Sequence, residues 1–496
     1  MFRVKGYEPG SNITIINTIY HKSKKDPETG KYGKDSIDIV FRDLDTGEKK
    51  FEHIEEPTYT YYIANDDVQV THNMLFIDKD SVHPVTCKYR DVLKSIAEKT
   101  DNLDFFYDNI SNGNYRENEK LYTIPKIFNA DMNIEDFYRI EFNKTYRNES
   151  YSPTKLYFDI EVDTKDMIGD FPEPGECPIN AITLVDEYNK MIYTLLLKNY
   201  NNPLIEEFSR IPDITKDLKE FVKENVGGWK KEKLYGLDEF EYSIVFYDEE
   251  IMLIRDMFKY INKTRPDFAL AWNIAFDLPY IIARIARLGY DPNEIVCDPD
   301  FKVKDCYYFI DKRAQMFEAR GDYALVSSYT VYMDQLITFA SRRKGEKKGK
   351  ITSYKLDFVG DAIAEVRKLD YSHITRNITE LPYLDYKTFV FYNVMDTIVQ
   401  LCIEHIVGDI DFVFSKSLNV GTRYAKIHRQ TTYLVNRGIM DFYNMGYIMG
   451  NNVNKSNEKE GFAGAYVADP LLVSDKPKNK VNGKAINICD NLDDFD

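Results

Sequence analysis

From residue 12 to about residue 63, short β-branched and aromatic runs alternate with turn signals. Strand-like stretches fall at 36–42, 49–53 and 58–63, the first two separated by Asp45-Thr46-Gly47, and the pattern predicts a small β-rich domain. A helical stretch at 91–99 and a polar, Asn-rich passage at 101–119 follow, and Asn148-Glu149-Ser150 marks a boundary. The next block mixes two periods. Strand alternation at 156–162 and 182–186, a turn at 187–190 and a return strand at 191–197 come first. Then Ile251, Leu253, Ile254, Met257, Phe258 and Ile261 form one helical face within 249–262, residues 268–272 read as a short buried strand, and helices follow at 278–288 and 386–404. Strands with helices packed against them describe an α/β domain. Beyond it, 423–444 is again helical and 449–461 is a polar loop; there is no internal repeat, and 344–350 is a basic loop.

At 496 residues the chain is long enough for roughly three units of about 100–200 residues, each with its own core. No unbroken apolar stretch approaches the roughly 18 residues of a membrane span, and Met1-Phe2-Arg3-Val4 does not open a signal peptide. A soluble intracellular protein with no membrane partner is expected. The six cysteines form no CxxC pair and the seven histidines no HExxH, which argues against disulfides and zinc and leaves any metal to oxygen ligands. The net charge of −16 has the wrong sign for a protein that coats nucleic acid, because phosphate affinity comes from Lys and Arg. An acidic total still accommodates local basic surface, and a phosphate-cutting metal site needs its own carboxylates.

Three segments carry candidate chemistry. In Tyr157-Phe158-Asp159-Ile160-Glu161-Val162, strand alternation sends Leu156, Phe158, Ile160 and Val162 to one face and sets Asp159 beside Glu161 on the other. A solvated acidic face on a half-buried strand has the same pattern. In Asn273-Ile274-Ala275-Phe276-Asp277-Leu278-Pro279, a carboxylate stands where a strand gives way to a helix, the usual ligand position in an α/β sheet; Asp277 as N-cap with Pro279 in the first turn is the plainer account. In Tyr392-Asn393-Val394-Met395-Asp396, a phenol and a carboxylate four residues apart share a helix face, a pair that 38 tyrosines will also produce by chance.

Taken in order, Asp-x-Glu on a strand, Asn-x-x-Phe-Asp at a strand-to-helix junction and Tyr-x-x-x-Asp on a helix resemble the three motifs of DEDDy 3′→5′ exonucleases. Within that superfamily the chain resembles the family B DNA polymerases of T-even-type phages. The likeness includes Phe171-Pro172-Glu173-Pro174, Pro178-Ile179-Asn180-Ala181-Ile182-Thr183, Ser353-Tyr354-Lys355-Leu356-Asp357, Tyr424-Ala425-Lys426-Ile427 and Gly461-Phe462-Ala463-Gly464-Ala465-Tyr466-Val467. It implies an α/β fold with a ribonuclease H-like exonuclease domain, a mixed sheet flanked by helices, at 149–408. Around it stand a β-rich domain at 1–148, a segment at 409–470 returning to that domain, and the start of a palm at 471–496. It also implies that Asp159, Glu161, Asp277 and Asp396 hold two Mg²⁺ or Mn²⁺ ions, with Asp159 bridging both, that Tyr392 orients the attacking water, and that Asn273 and Phe276 border the terminal nucleotide. Two such ions about 4 Å apart activate the water and stabilise the leaving 3′ oxygen, and without cations four converging acids raise one another's pKa. Arg320-Gly321-Asp322 is expected to turn a hairpin between Phe317 and Val326, in a region where related polymerases help separate primer from template.

The implied partners are DNA, as a single-stranded 3′ end or a primer-template, in the cytoplasm of a phage-infected bacterium. Family B polymerases carry their first palm aspartate before an x-x-Ser-Leu-Tyr-Pro stretch. Here the sequence ends at Asp490-Asn491-Leu492-Asp493-Asp494-Phe495-Asp496, so Asp496 is the expected palm aspartate of an incomplete site. Polymerisation is then expected to need a carboxy-terminal subunit, as in split phage polymerases, through which a sliding clamp would also be reached. A nucleic-acid-binding or message-regulating scaffold with an idle site is the alternative, against which the intact acids argue. A free-standing nuclease leaves 423–467 unexplained.

Overall fold

The β-branched and aromatic runs near the start of the chain pair into antiparallel ladders. The computed structural model describes residues 2–451 except 26–27, 72–73, 102–120, 122–123, 166, 168–170, 200, 313, 315 and 344–350, together with the backbone of 480–481 and 484–485. Strands β1 (Ile13–His21), β2 (Ser36–Asp43) and β3 (Lys49–Glu55) form one sheet in that order. Strand β4 (Thr58–Ala64) pairs with β6 (Val82–Lys88) and β7 (Ile127–Phe128), while β5 (Phe76–Asp78) lies apart from them. Helix α1 (Val92–Lys99) matches the expected stretch. Helix α2 (Ile134–Thr145) opens on Asn133, whose side chain accepts from the Glu135 amide at 2.9 Å, and lies against β1. Its Arg139 is wholly buried and donates to Thr18 Oγ1 at 3.1 Å, the Ile16 carbonyl at 3.1 Å and Ser417 Oγ at 3.0 Å.

The central sheet has six strands in the order β11-β10-β9-β8-β12-β15. These are β8 (Lys155–Val162), β9 (Ile179–Asp186), β10 (Met191–Leu197), β11 (Glu241–Tyr247), β12 (Phe268–Ala271) and β15 (Val331–Asp334). β8, β9 and β10 run antiparallel to their neighbours in that series, and the outer pairings β10 with β11, β8 with β12 and β12 with β15 are parallel. Leu156, Phe158 and Ile160 of β8 pack with Ile254 and Met257 of helix α3 (Glu250–Thr264) and Leu278 of helix α4 (Ile274–Arg287). The opposite face, carrying Asp159 and Glu161, is covered by helix α7 (Tyr386–Val407). A mixed sheet with helices on both faces, beside β-rich amino-terminal sheets, is the α/β architecture expected of a ribonuclease H-like exonuclease domain.

Helix α7 is long and apolar enough to cross a membrane by length and composition, yet 78% of its apolar window is buried inside the protein, so it serves here as a core helix. It stops at Gly408, which takes φ +58 and returns its amide to the Glu404 carbonyl at 2.8 Å. Helix α8 (Asp409–Val420) starts at once, so an unexpected helix precedes α9 (Gln430–Asn444), which is shorter than the 423–444 expectation because residues 424–426 form a single 3₁₀ turn. Strand β16 (Tyr447–Met449) then pairs with β5. Residues Met1–Asn451 make up one unit and Asn452–Asp496 another, in which β17 (Lys480–Val481) and β18 (Lys484–Ala485) pair. Asp496, and nearly all of the expected 449–461 loop, lie outside the described residues.

The expected hairpin exists with different strands. β13 (Cys306–Phe309) pairs with β14 (Tyr323–Val326), and Phe317–Ala319, expected as a strand, is a 3₁₀ turn. Arg320-Gly321-Asp322 leads into β14 instead of turning the ribbon, because Asp322 is tied back by Arg320 and accepts from the Asp311 amide at 2.8 Å.

Two buried ionic clusters join the first sheet to the central one. Asp267, at the entrance to β12, is wholly buried and accepts from Arg42 at 3.0 Å, Lys49 at 2.8 Å, Tyr151 at 3.0 Å and the Thr154 amide at 2.8 Å. His21 of β1 contacts Asp38 and Asp305, each at 2.9 Å, and Asp38 also meets His53 at 2.6 Å. Burial alone would lower the His21 pKa, but hydrogen bonds to Asp305 and Asp38 outweigh it and raise the value from 6.5 to about 9. A histidine whose folded pKa exceeds its unfolded one stabilises fully below the lower value and loses that contribution as pH climbs to the higher. Between about pH 6.5 and about pH 9 the chain will therefore lose on the order of 3 kcal/mol from this site. Urea midpoints across that range, compared with those of His21→Gln, measure it; equal pH slopes for both proteins would refute the coupling.

Candidate active site

Asp159 and Glu161 stand on the α7 side of β8 near its carboxyl end, where ligands bind in sheets of this kind. Helix α7 brings Asp396 to them: one oxygen from each of the three carboxylates lies within 4.8 Å of the others. Asp159 and Glu161 are half-buried at the mouth of the cluster and Asp396 is buried. Tyr392 stands one turn before Asp396, and its phenol meets the Lys368 ammonium at 3.1 Å. Lys368 also donates to Asp396.

Asp277 is buried close by. It stands outside the 4.8 Å set but within electrostatic reach of Asp159 and Glu161. The helix carrying it starts earlier than expected, at Ile274, so Asn273 takes the N-cap position and Asp277 sits inside the first turn, with Pro279 within the helix. The N-cap account of Asp277 is thereby replaced, and its carboxylate is left to face the other acids. Asn273 is exposed and its side chain does not cap the helix, while Phe276 is half-buried and meets the exposed ring of Phe171 edge-on at 5.4 Å.

Burial is the main cause that lifts the pKa of each acid. For Asp159 the nearby Asp396 adds to it, against the pull of Lys368 and Asn393; for Glu161 both other acids add to it. Asp277 is raised by burial and then by Asp159, Asp334 and Glu161. Asp396 is raised by burial despite Lys368. The Tyr392 phenol is held firmly protonated by burial and by the same acids. For Lys368, burial opposes the charge, but Asp396 and Asp159 overcome it and keep the ammonium.

Three acidic oxygens this close repel one another, and among the described residues one ammonium, Lys368, touches them. Asp396 Oδ1 is buried with no hydrogen-bond partner. A hard divalent cation fits such a set, since it satisfies both the charge and the orphaned oxygen. A cavity of about 390 Å³ lies elsewhere, against β1 and the β13-β14 ribbon, and none of the three clustered acids lines it.

Three further residues belong to the site. Lys368 follows an irregular stretch in which Gly360–Ala364 is π-helical, so no periodicity pointed to it. Asn393 donates to Asp159 Oδ2 at 3.0 Å and accepts from Thr183 Oγ1 at 2.6 Å; its place beside Tyr392 was the available signal. Asp334 ends β15, caps the next helix through the Ile337 amide at 2.8 Å, and is pushed up to about 7 by burial. A carboxylate at a strand-to-helix junction is the same signal that singled out Asp277.

The sheet, the flanking helices and the buried acid cluster define a nuclease of the exonuclease-domain class. The sequence model described as DNA polymerase family B, exonuclease domain, matches residues 111–359, half of the chain, and the chain belongs to that family. The matched span contains Asp159, Glu161 and Asp277 and ends before Lys368, Tyr392 and Asp396. None of the curated proteins compared with the chain matches it.

Proposed function

We propose that this chain is the proofreading part of a family B DNA polymerase of the T-even phage type, removing nucleotides from the 3′ end of DNA. The observation that carries this reading is the convergence of Asp159, Glu161 and Asp396 beside Tyr392. In this reading Asp159, Glu161, Asp277 and Asp396 hold two Mg²⁺ or Mn²⁺ ions, which supply activation of the attacking water and charge stabilisation of the leaving 3′ oxygen. Asn393 fixes the Asp159 oxygen that it donates to. The Tyr392 oxygen accepts from Lys368 while its hydrogen is drawn to Asp396, which leaves one lone pair to hold a water in line. Phe276, paired edge-on with Phe171, offers an aromatic face to the terminal base, and Asn273 offers an uncommitted amide beside it.

Residues 1–148 then form the amino-terminal domain, 149–408 the exonuclease, 409–470 the returning segment and 471–496 the start of a palm, with Asp496 its first aspartate. Polymerisation, and any clamp contact, falls to a carboxy-terminal partner, and the work is done in the cytoplasm of an infected bacterium. The test is a 5′-labelled single strand incubated with the purified chain and Mg²⁺. Ladders shortening from the 3′ end, stopped by EDTA and restored by Mn²⁺, are expected; cleavage that persists in EDTA, or none in either metal, would reject the reading.

A further inference from the structure

Beside the acids, the ladder between β8 and β9 slips by one residue. Glu161 faces Ala181, but Val162 faces Ile179, so Asn180 is an extra residue bulged next to Glu161. A bulge beside an active site re-aims a side chain. Here Asn180 lines a cavity of about 310 Å³ whose other walls include Asp163, Asn199, Asn202, Tyr383 and Tyr386. Most of these polar groups are committed: Tyr383 donates to Asp163 at 2.5 Å, and Asn202 donates to the Pro382 carbonyl at 2.8 Å while capping the helix that begins at Pro203. Two are not. Asn180 is 9% exposed and Tyr386 3%, and the Asn180 Oδ1 and Tyr386 hydroxyl are buried without a hydrogen-bond partner among the described residues. Leaving two such atoms unpaired costs about 1–3 kcal/mol each, so the arrangement is explained by a ligand that satisfies them.

The surroundings specify the ligand. A carboxamide and a phenol beside one another match the donor and acceptor pattern on a nucleobase edge, and tyrosine rings supply a face for stacking. The Lys165 ammonium, 3.8 Å from the Tyr383 ring centre, places positive charge for a phosphate at the same wall. The volume is at the lower end of cavities that hold a small ligand, about 300–1,000 Å³. Tyr386 precedes Tyr392 on α7 by six residues, about 9 Å along the helix axis, within reach of a strand whose end lies at the acids.

We propose that this cavity binds one nucleoside 5′-monophosphate unit, read by Asn180 and Tyr386, either as a nucleotide upstream in the strand being trimmed or as the released product. The proposal rests on the exonuclease reading for the identity of the strand, but its test does not need hydrolysis. Binding of a fluorescent single-stranded oligodeoxynucleotide to the full chain in EDTA is compared among the parent chain, Asn180→Leu and Tyr386→Phe, the last keeping the buried ring so that folding is preserved. If the unit belongs to the strand, each variant weakens oligonucleotide binding about 5- to 10-fold, the worth of one hydrogen bond, and in Mg²⁺ the loss appears in KM. If it is the product, oligonucleotide affinity holds and the inhibition constant of added deoxynucleoside monophosphates rises by a similar factor. Unchanged affinity for both ligands in variants that unfold at the parent temperature would overturn the proposal. A parent chain that binds but never cleaves would instead count against the exonuclease reading alone.

Discussion

Replacing Asp159 by Asn will lower 3′-terminal hydrolysis by about 10³-fold or more, roughly 4 kcal/mol of transition-state stabilisation, while leaving the fold intact. The side chain keeps its volume and can still meet Asn393, so packing around β8 is retained. What is lost is the charge on the carboxylate that Asp396 and Glu161 most directly face. The same substitution relieves repulsion within the cluster, so without divalent ions the variant will melt at or above the temperature of the parent. Adding Mg²⁺ will raise the parent's melting temperature, since a ligand that binds only the folded state stabilises it, and will move the variant far less. Tyr392→Phe keeps every carboxylate and should retain the thermal response to Mg²⁺ while losing about 10–100-fold in rate, because it removes only a hydrogen-bonding group. Single-turnover rates with melting curves in EDTA and Mg²⁺ separate the two substitutions. An Asp159→Asn protein of undiminished rate, or one stabilised by Mg²⁺ as fully as the parent, would remove the cluster from the chemistry.

How much of this was legible in the sequence depended on whether a residue's role was local. Alternation in 156–162 announced both the core face and the acidic face of β8, and the period of 3.6 placed Tyr392 and Asp396 on one side of α7, because each inference needs only a few neighbouring residues. The amino-terminal strands β2 to β4 were legible for the same reason. Edges and short parallel strands were not. β11 is half-buried along nearly its whole length and β15 is four residues long, so neither shows a clear period. Helix α8 escaped notice because Gly408 ends one helix and starts the next with no loop between them. Lys368 and Asn393 matter through contacts with Asp396 and Asp159, which only the folded chain creates. The bulge at Asn180 is a property of pairing between two strands and has no signature in either.

The largest loss of stability from one surface-distant residue is expected at Asp267. Its carboxylate is the shared acceptor for the Lys49 ammonium and the Arg42 guanidinium, whose side chains are 5% and 18% exposed. Burial opposes its ionisation, but Lys49 and Arg42 outweigh burial and hold its pKa below the usual carboxylate range. Burial likewise pushes Lys49 down to about 8 in spite of Asp267. Removing the acid leaves two buried cations facing one another, and breaking a buried pair from one side costs about 3–5 kcal/mol. Asp267→Ala will therefore lower the unfolding midpoint sharply. Asp267→Asn will do less damage, since an amide still accepts from the Thr154 amide and the Tyr151 hydroxyl. The decisive comparison is Asp267→Ala with Lys49→Met added: if the cost is the stranded charge and not the lost packing, the second change recovers part of the first, and urea titrations of the single and double variants will show a coupling of at least about 1 kcal/mol. Strict additivity would mean that the first sheet is held to the central one by shape alone. Because Asp267 opens β12 and the chain leaves that strand directly into Asn273, Phe276 and Asp277, the joint also fixes the strand that presents the substrate-facing end of α4.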